Sequence, residues 1–313
     1  MTLTNPLRLR QPESGKNFVR HFGPVPLPEK FVGQRGSKGC LARRVEHLFR
    51  TWFLVGALLP ALLLPAARGT EVAASSSRLA SAIDLRPAFQ KWGLPLRLQG
   101  RRGTCSVFTL TGALEYALAS RQQTGTVLSV EFLNWASNQA TTNLNDGGFF
   151  ADLWTGFEVY GVCPETRLRY LPNYDPQLRP DEMALQCAKE AANAHLRLHW
   201  LKPWNVATGL TEAQFLEIKR TLSFGWPVCG GFRWPKREHW RKDVLQMVPA
   251  QEVFDGHSVL LVGFKDDPAQ PGGGVFLVRN SGGGAHDGAL PYEYVRAYMN
   301  DAAWVEPAPG KGR

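Results

Sequence analysis

Cysteine is scarce in this chain: five in 313 residues, too few for a small disulfide scaffold, in which dense cross-links stand in for a core. Metal ligands are not grouped either. His195 and His199 stand four apart with no third ligand near them, a pair of surface imidazoles rather than a zinc site. The triple glycine Gly272-Gly273-Gly274 precedes a strand-like run and lacks a lysine, so it is a turn and not a phosphate loop. No internal repeat is visible. The one long apolar run, Trp52 to Leu64, is broken by Pro60 and falls short of the roughly 20 residues of a spanning helix. Acidic residues are in the minority, 27 against 36 basic, but the imbalance is local: residues 1–69 hold 11 Lys+Arg and 3 Asp+Glu, which leaves one net positive charge to residues 70–313. That near-neutrality gives no support to a nucleic-acid surface on the folded part. No cofactor, metal or nucleic acid is expected.

The basic excess belongs to an export pattern. Arg43, Arg44 and Arg50 precede the apolar stretch and Ala67-Arg68-Gly69 follows it as a small-x-small cleavage site, so residues 51–69 read as a signal peptide. Secretion, or delivery to a periplasm, is the expected localisation. An uncleaved anchor through residues 52–67 is the alternative and the chain's one route to a membrane. Residues 1–50 are rich in Gly, Pro and basic side chains without periodicity and read as a disordered extension. Signal peptides rarely carry fifty residues ahead of their apolar core, so translation is expected to start downstream of Met1. An Ala- and Ser-rich linker covers 70–82, a folded domain 83–307 and a short tail 308–313. About 230 residues after the linker suffice for one large domain or two tightly joined lobes.

In that domain an amide side chain, Gln99, stands six residues before Cys105, and Cys105 opens a helix. Val107, Leu110, Leu114, Ala117 and Leu118 recur at three- and four-residue intervals after it. Unpaired N–H groups and the dipole of a first turn stabilise a thiolate by up to about 1 kcal/mol at an exposed site, and Thr104 is placed to cap that turn through its hydroxyl. A base follows 152 residues later: His257 sits in Asp255-Gly256-His257, a turn at the mouth of the apolar run Ser258 to Phe264. A second run, Val275 to Val278, ends at Asn280, 23 residues after His257. The amide of Asn280 would accept from Nδ1–H of the imidazole and leave Nε2 facing the sulfur. Taken singly these are a buried thiol, a core histidine and a turn residue; together they have the composition of a thiol nucleophile with its base and orienting group.

The order Gln99, Cys105, His257, Asn280 resembles the papain family of cysteine peptidases (C1 type, in a bacterial-like branch lacking a long prodomain), and the downstream placement of His and Asn fits it. The resemblance spans about Ile83 to Val305. Ile83-Asp84-Leu85-Arg86 is similar to the start of the mature domain, and Gly103-Thr104-Cys105 with Phe108 to the nucleophile motif. Leu128-Ser129 with Glu131 and Leu133 resembles the next helix, Asp146-Gly147-Gly148 the substrate loop, and Arg279-Asn280-Ser281 with Pro291-Tyr292-Glu293-Tyr294 the closing segment. The resemblance implies an α+β fold of two lobes, a helical N-terminal lobe and an antiparallel β-barrel-like C-terminal one, with the active site in the groove between them. It implies Cys105 as nucleophile, His257 as its imidazolium partner and proton donor, and Asn280 as orienter. Gln99 with the N–H of Cys105 would form the oxyanion site. Gly147 and Gly148 would hydrogen-bond an extended peptide, and Phe149 and Phe150 would begin a pocket favouring a bulky apolar side chain two residues before the cleaved bond. A polypeptide substrate and a proteinaceous inhibitor are the partners implied. The dozen residues between Gly69 and Ile83 leave no room for the inhibitory prodomain many relatives carry.

Four departures qualify the likeness. The family's cysteine three residues before the nucleophile is Arg102 and its partner is Asn145, so both halves of one disulfide are missing together. The tryptophan that commonly follows the nucleophile is Ser106, and the one shielding the His–Asn bond is Gly282. Without an indole that bond would be wetter and weaker, unless another tryptophan, such as Trp135 or Trp154, covers it. Three other functions therefore stay open: a catalytically silent papain-like binding protein, a thiol acyltransferase or transpeptidase using the same acyl-enzyme chemistry, and a non-enzymatic surface adhesin, which would need no activated thiol. Of the remaining cysteines, Cys163 with Cys187 is a candidate bridge. Helices are expected to dominate as far as Ala194, including 181–196; a helix 212–223 capped by Thr211 follows, then a first barrel strand at 228–232 and a loop over 233–251.

Overall fold

The computed structural model describes residues 79–192, 195–282 and 287–308. The expectations for the basic extension, the signal segment, most of the linker and the tail lie outside these residues. All described residues belong to one of the chain's two compact units, Val72–Arg313.

Helices fill the first half. α1 (Arg86–Lys91) leads to α2 (Cys105–Gln122), α3 (Val130–Thr141), α4 (Phe150–Tyr160) and α5 (Glu182–Ala192). α2 is buried on nearly every side, as expected of a helix at the centre of a core rather than at its surface. It ends where Gln123 turns left-handed at φ 57° and returns its N–H to Ala119. Ser129 caps α3 by accepting from the N–H of Phe132 at 2.9 Å. Gly156 of α4 lies so close to α3 that a Cβ there would stand 2.4 Å from the nitrogen of Ser137, so the two helices pack at backbone distance.

The second half is a nine-stranded sheet, mostly antiparallel. Its strands are β1 (Ala82–Asp84), β2 (Leu196–Lys202), β3 (Val228–Pro235), β4 (Trp240–Arg241), β5 (Val244–Leu245), β6 (Val253–Asp266), β7 (Gly274–Arg279), β8 (Ala289–Pro291) and β9 (Met299–Pro307). Their order is β2-β9-β3-β6-β7-β8-β5-β4, with β1 added to β6. α6 (Glu212–Ser223), started by a full Thr211–Gln214 capping box, and α7 (Tyr292–Tyr298) accompany the sheet. This is the two-lobe α+β architecture expected. Three local expectations are corrected: β1 and β2 precede Val228; of the helix expected over 181–196 the described part is α5, Glu182–Ala192, and Leu196 already belongs to a strand; and the supposed loop 233–251 carries the end of β3 with β4 and β5. Two- and three-residue strands show no periodicity, since distant pairing defines them.

The lobes share a core. Val107, Leu110, Ala113 and Leu114 of α2 cluster with Cys229, Leu260, Val262 and Val305 of the sheet. A second cluster, with Phe215, Phe232, Trp234, Phe264, Phe276 and Tyr294, lies wholly in the strand-rich half. The long strand β6, which joins both, carries His257.

Candidate active site

Three elements deliver the candidate side chains. Cys105 is the first residue of α2, His257 lies near the start of β6, and Asn280 follows the last residue of β7. Pairing of Leu260 with Arg279 fixes the register of β6 on β7, and this sets Asn280 against the imidazole. Asn280 is 2 % exposed, and its Oδ1 accepts from Nε2 of His257 at 2.8 Å and from the N–H of Gly282 at 2.9 Å. The sequence expectation assigned the ring nitrogens the other way round. Because Nε2 is engaged by Asn280, Nδ1 is the nitrogen left for the thiol, whose Sγ lies 3.9 Å from the carbonyl oxygen of Gly256, the residue before His257.

The electrostatics of the pair follow from opposed effects. Burial pushes the Cys105 thiol up, but the hydrogen bond and charge of His257, with the N–H groups of Ser258 and Ser106, outweigh it and hold the thiol below its ordinary 9.0. Burial likewise pushes His257 down, while the bond to Cys105 and its charge, the Asn280 bond and the charge of Glu238 lift it above 6.5. Each partner thus favours the charged form of the other. Thr104 does not cap α2 through its side chain; its hydroxyl is taken by the phenol of Tyr170 at 2.6 Å, so the first-turn N–H groups stay available for the sulfur.

Gln99 stands beside this pair with its amide fixed at both ends. Its Oε1 accepts from the Ser281 hydroxyl at 2.9 Å and its Nε2 donates to the carbonyl of Arg102 at 2.8 Å, so one N–H remains undirected by these bonds. An open groove of about 380 Å³ lined by Gln99, Gly100, Trp234, Phe254, His257 and Gly282 adjoins the imidazole.

Gly147 adopts φ +98°, and a Cβ on it would stand 2.1 Å from the carbonyl oxygen of Gly103, so the loop lies against the nucleophile segment at a distance that excludes a side chain. Its N–H donates to Asn134 at 2.9 Å. The two phenylalanines that follow part company. Phe149 is 54 % exposed and meets Trp204 edge to face at 5.5 Å; Phe150 is buried in the helical core. Contact with a substrate is open to Phe149 alone.

Sequence reasoning missed the groups that stand where three of the four departures fall, those at Arg102, Asn145 and Gly282. Arg102 is buried and donates to Glu131 at 2.5 and 3.0 Å, to Asp146 at 2.8 Å and to the carbonyl of Leu171 at 2.8 Å, with its guanidinium 4.4 Å from the Tyr170 ring. An ion network therefore ties the segment before Cys105 to the Gly147 loop at the place where the family pattern has a disulfide. Its only signal in the sequence was an arginine and two carboxylates among motif residues. The ring on His257 is neither Trp135 nor Trp154. Trp135 packs on Phe132 and Tyr160 and Trp154 on Phe157, whereas Trp234 of β3 lies 4.5 Å from the imidazole, centroid to centroid. Cys163 and Cys187 are free thiols, not a bridge; burial pushes Cys163 up to about 12.

By sequence, no protein-family model and no curated protein matches the chain. Its fold is that of papain-like cysteine proteases. Xylellain, a cysteine protease from Xylella fastidiosa, superposes with a TM-score of 0.56 at 18 % identity over 74 % of this chain and 88 % of its own. Digestive procathepsin L 3 of Tenebrio molitor larval midgut gives 0.52 at 19 % identity over 74 % and 71 %. The cysteine protease and lectin-like domains of Cwp84, a surface layer associated protein of Clostridium difficile, give 0.53 at 18 % identity over 74 % of this chain and 53 % of that one. Among the described residues no helix is long and apolar enough to cross a membrane.

Proposed function

We propose that this protein is a cysteine endopeptidase that cleaves polypeptides through Cys105, His257 and Asn280. The observation that carries the reading is the bond from Nε2 of His257 to Asn280 at 2.8 Å, which leaves Nδ1 for the Cys105 thiol at the start of α2, 3.9 Å from the carbonyl of Gly256, beside a groove that His257 lines. The thiolate Sγ attacks the scissile carbonyl carbon, and the oxyanion that forms takes the free N–H of Gln99 and the backbone N–H of Cys105. Loss of one such donor costs roughly 10²–10³ in rate. The imidazolium gives its Nδ1 proton to the departing amine, leaving a thioester on Cys105; neutral His257 then takes a proton from water, whose oxygen attacks the thioester and releases the acid. Gly147 and Gly148 offer backbone to an extended peptide, and exposed Phe149 favours a bulky apolar side chain two residues before the cleaved bond. Export through residues 51–69 accords with a peptidase acting outside the cytoplasm, and mass spectrometry of the mature N-terminus checks it.

The test is covalent. An epoxide inhibitor of thiol peptidases is expected to modify Cys105, located by peptide mass, in the wild type and not in His257→Ala. A Cys105 left unmodified by the reagent removes the proposal and leaves a silent binding protein. Addition of an amine nucleophile during peptide turnover separates hydrolysis from acyl transfer.

A further inference from the structure

The His257–Asn280 bond lacks the covering side chain at residue 282, and the geometry shows why none fits. A Cβ on Gly282 would stand 2.8 Å from Cε1 of His257 and 3.4 Å from Oδ1 of Asn280, so the backbone itself lies on the bond. A different strand supplies an aromatic ring. β3 pairs Phe232 with His257 and then Arg233 with Asp255, skipping Gly256, which takes φ +129°. A bulge of this kind re-aims side chains, and here the next in-facing residue of β3, Trp234, is set with its ring 4.5 Å from the imidazole at an interplanar angle of 57°. Trp234 is buried against Phe232 and Tyr294. Its Nε1 donates to Oε1 of Glu238 at 2.8 Å, and Nε1 of Trp240 donates to Oε2 of the same carboxylate at 2.8 Å. One carboxylate thus fixes two indoles, and among the described residues no ion pair engages it.

We infer that Trp234 and Glu238 are positioning residues of the thiol site: Trp234 holds and covers the imidazole in place of a tryptophan at 282, and Glu238 locks that indole while setting a negative charge beside His257. The inference rests on the peptidase reading of Cys105 and His257. Neither residue touches the reacting atoms. Facing the imidazole are the Cys105 thiol from α2, Glu238 from the segment after β3, and the uncharged Asn280 and Gly282, with Lys236 lining the same groove. A carboxylate at the groove rim favours the imidazolium and so extends the alkaline limit of the ion pair. Because Glu238 is exposed, salt screens that effect.

The experiment follows the alkylation rate of Cys105 by iodoacetamide from pH 5 to 10, with the adduct located by mass, in wild type, Glu238→Gln, Trp234→Phe and Trp234→Ala, alongside kcat and KM for a peptide. Glu238→Gln keeps an acceptor for one indole and removes the charge; its alkaline limb is expected to fall by roughly 0.3–0.5 pH units at low salt and to return toward wild type in 1 M NaCl. Trp234→Ala is expected to lose about tenfold in kcat with KM little changed, and Trp234→Phe to recover most of that loss. An activated Cys105 in the wild type with an unshifted limb in Glu238→Gln and equal kcat in both Trp234 variants overturns this inference and leaves the peptidase reading standing. A wild-type Cys105 that reacts as an ordinary thiol overturns both. Thermal unfolding of each variant separates misfolding from misplacement, and Trp240→Phe, which frees one oxygen of Glu238 and keeps an aromatic ring beside Trp234, gives a second measure should Trp234→Ala fail to fold.

Discussion

At the scale of the residue, the candidate site sets two titrations against their own burial. A thiol held below 9.0 and an imidazole held above 6.5 move toward each other, which favours thiolate beside imidazolium. Activity should rise as Cys105 ionises on the acid side and fall as His257 loses its proton on the alkaline side, giving a bell for kcat/KM with its acid limb below 9. A profile that only rises, with a midpoint at an unperturbed thiol value, contradicts the pairing. Asn280 enters through Nε2 alone, and Asn280→Ala should cost about 10-fold or more in kcat with little change in KM, by analogy with loss of the hydrogen-bond partner that orients a metal-bound histidine. The identities of Cys105, His257 and Asn280 were legible because each needs a particular place on an element: a helix start, a strand mouth, a strand end. Which ring nitrogen faces which partner was not, because that depends on how β6 approaches α2, and no local pattern records it.

At the scale of the element, Arg102 shows how a missing covalent link is replaced. Its guanidinium meets Glu131, 2 % exposed, and Asp146 beside Gly147, so α3, the glycine loop and the segment before α2 are held by one buried cation. Burying such a triad is not in itself a large gain, but removing one partner strands the others. Arg102→Met should therefore lower stability by about 3–5 kcal/mol in denaturant titrations, and wild-type stability should be indifferent to reductant. Retained stability in Arg102→Met would show the network to be ornamental. Gly147→Ala tests the loop itself: at φ +98° with a carbonyl oxygen 2.1 Å from the new Cβ, the loop must move, and kcat/KM is expected to drop tenfold or more through KM, read with a peptide long enough to lie along the loop. The sequence carried the glycines and carboxylates plainly as motif members. It did not carry the ion network, because an arginine at the position of a half-cystine looks like a loss until Glu131 and Asp146 are seen to converge on it.

At the scale of the whole molecule, the site exists only while two lobes stay in register across α2. Helical periodicity and the alternating apolar runs made both lobes readable, whereas the short strands β1, β4 and β5 and the Trp234 contact depend on pairing between distant segments and a bulge at Gly256. The seam between the lobes is narrow at Gly112 of α2, where a Cβ would stand 3.3 Å from Cδ2 of Leu260, three residues beyond His257 on β6. Gly112→Ala places one carbon in that gap, and the tight contact opposes the helix propensity gained, so its net effect on stability should be within about 1 kcal/mol. Gly112→Val adds two more carbons and must push β6 away from α2, at a cost of about 1–3 kcal/mol. Since Cys105 rides on α2 and His257 on β6, the valine variant should lose far more kcat/KM and Cys105 alkylation rate than stability, while its helical circular dichroism stays near wild type. Equal fractional losses in activity and in folded population would mean that the seam sets stability alone and that the thiol and imidazole are aligned by something other than the contact between α2 and β6.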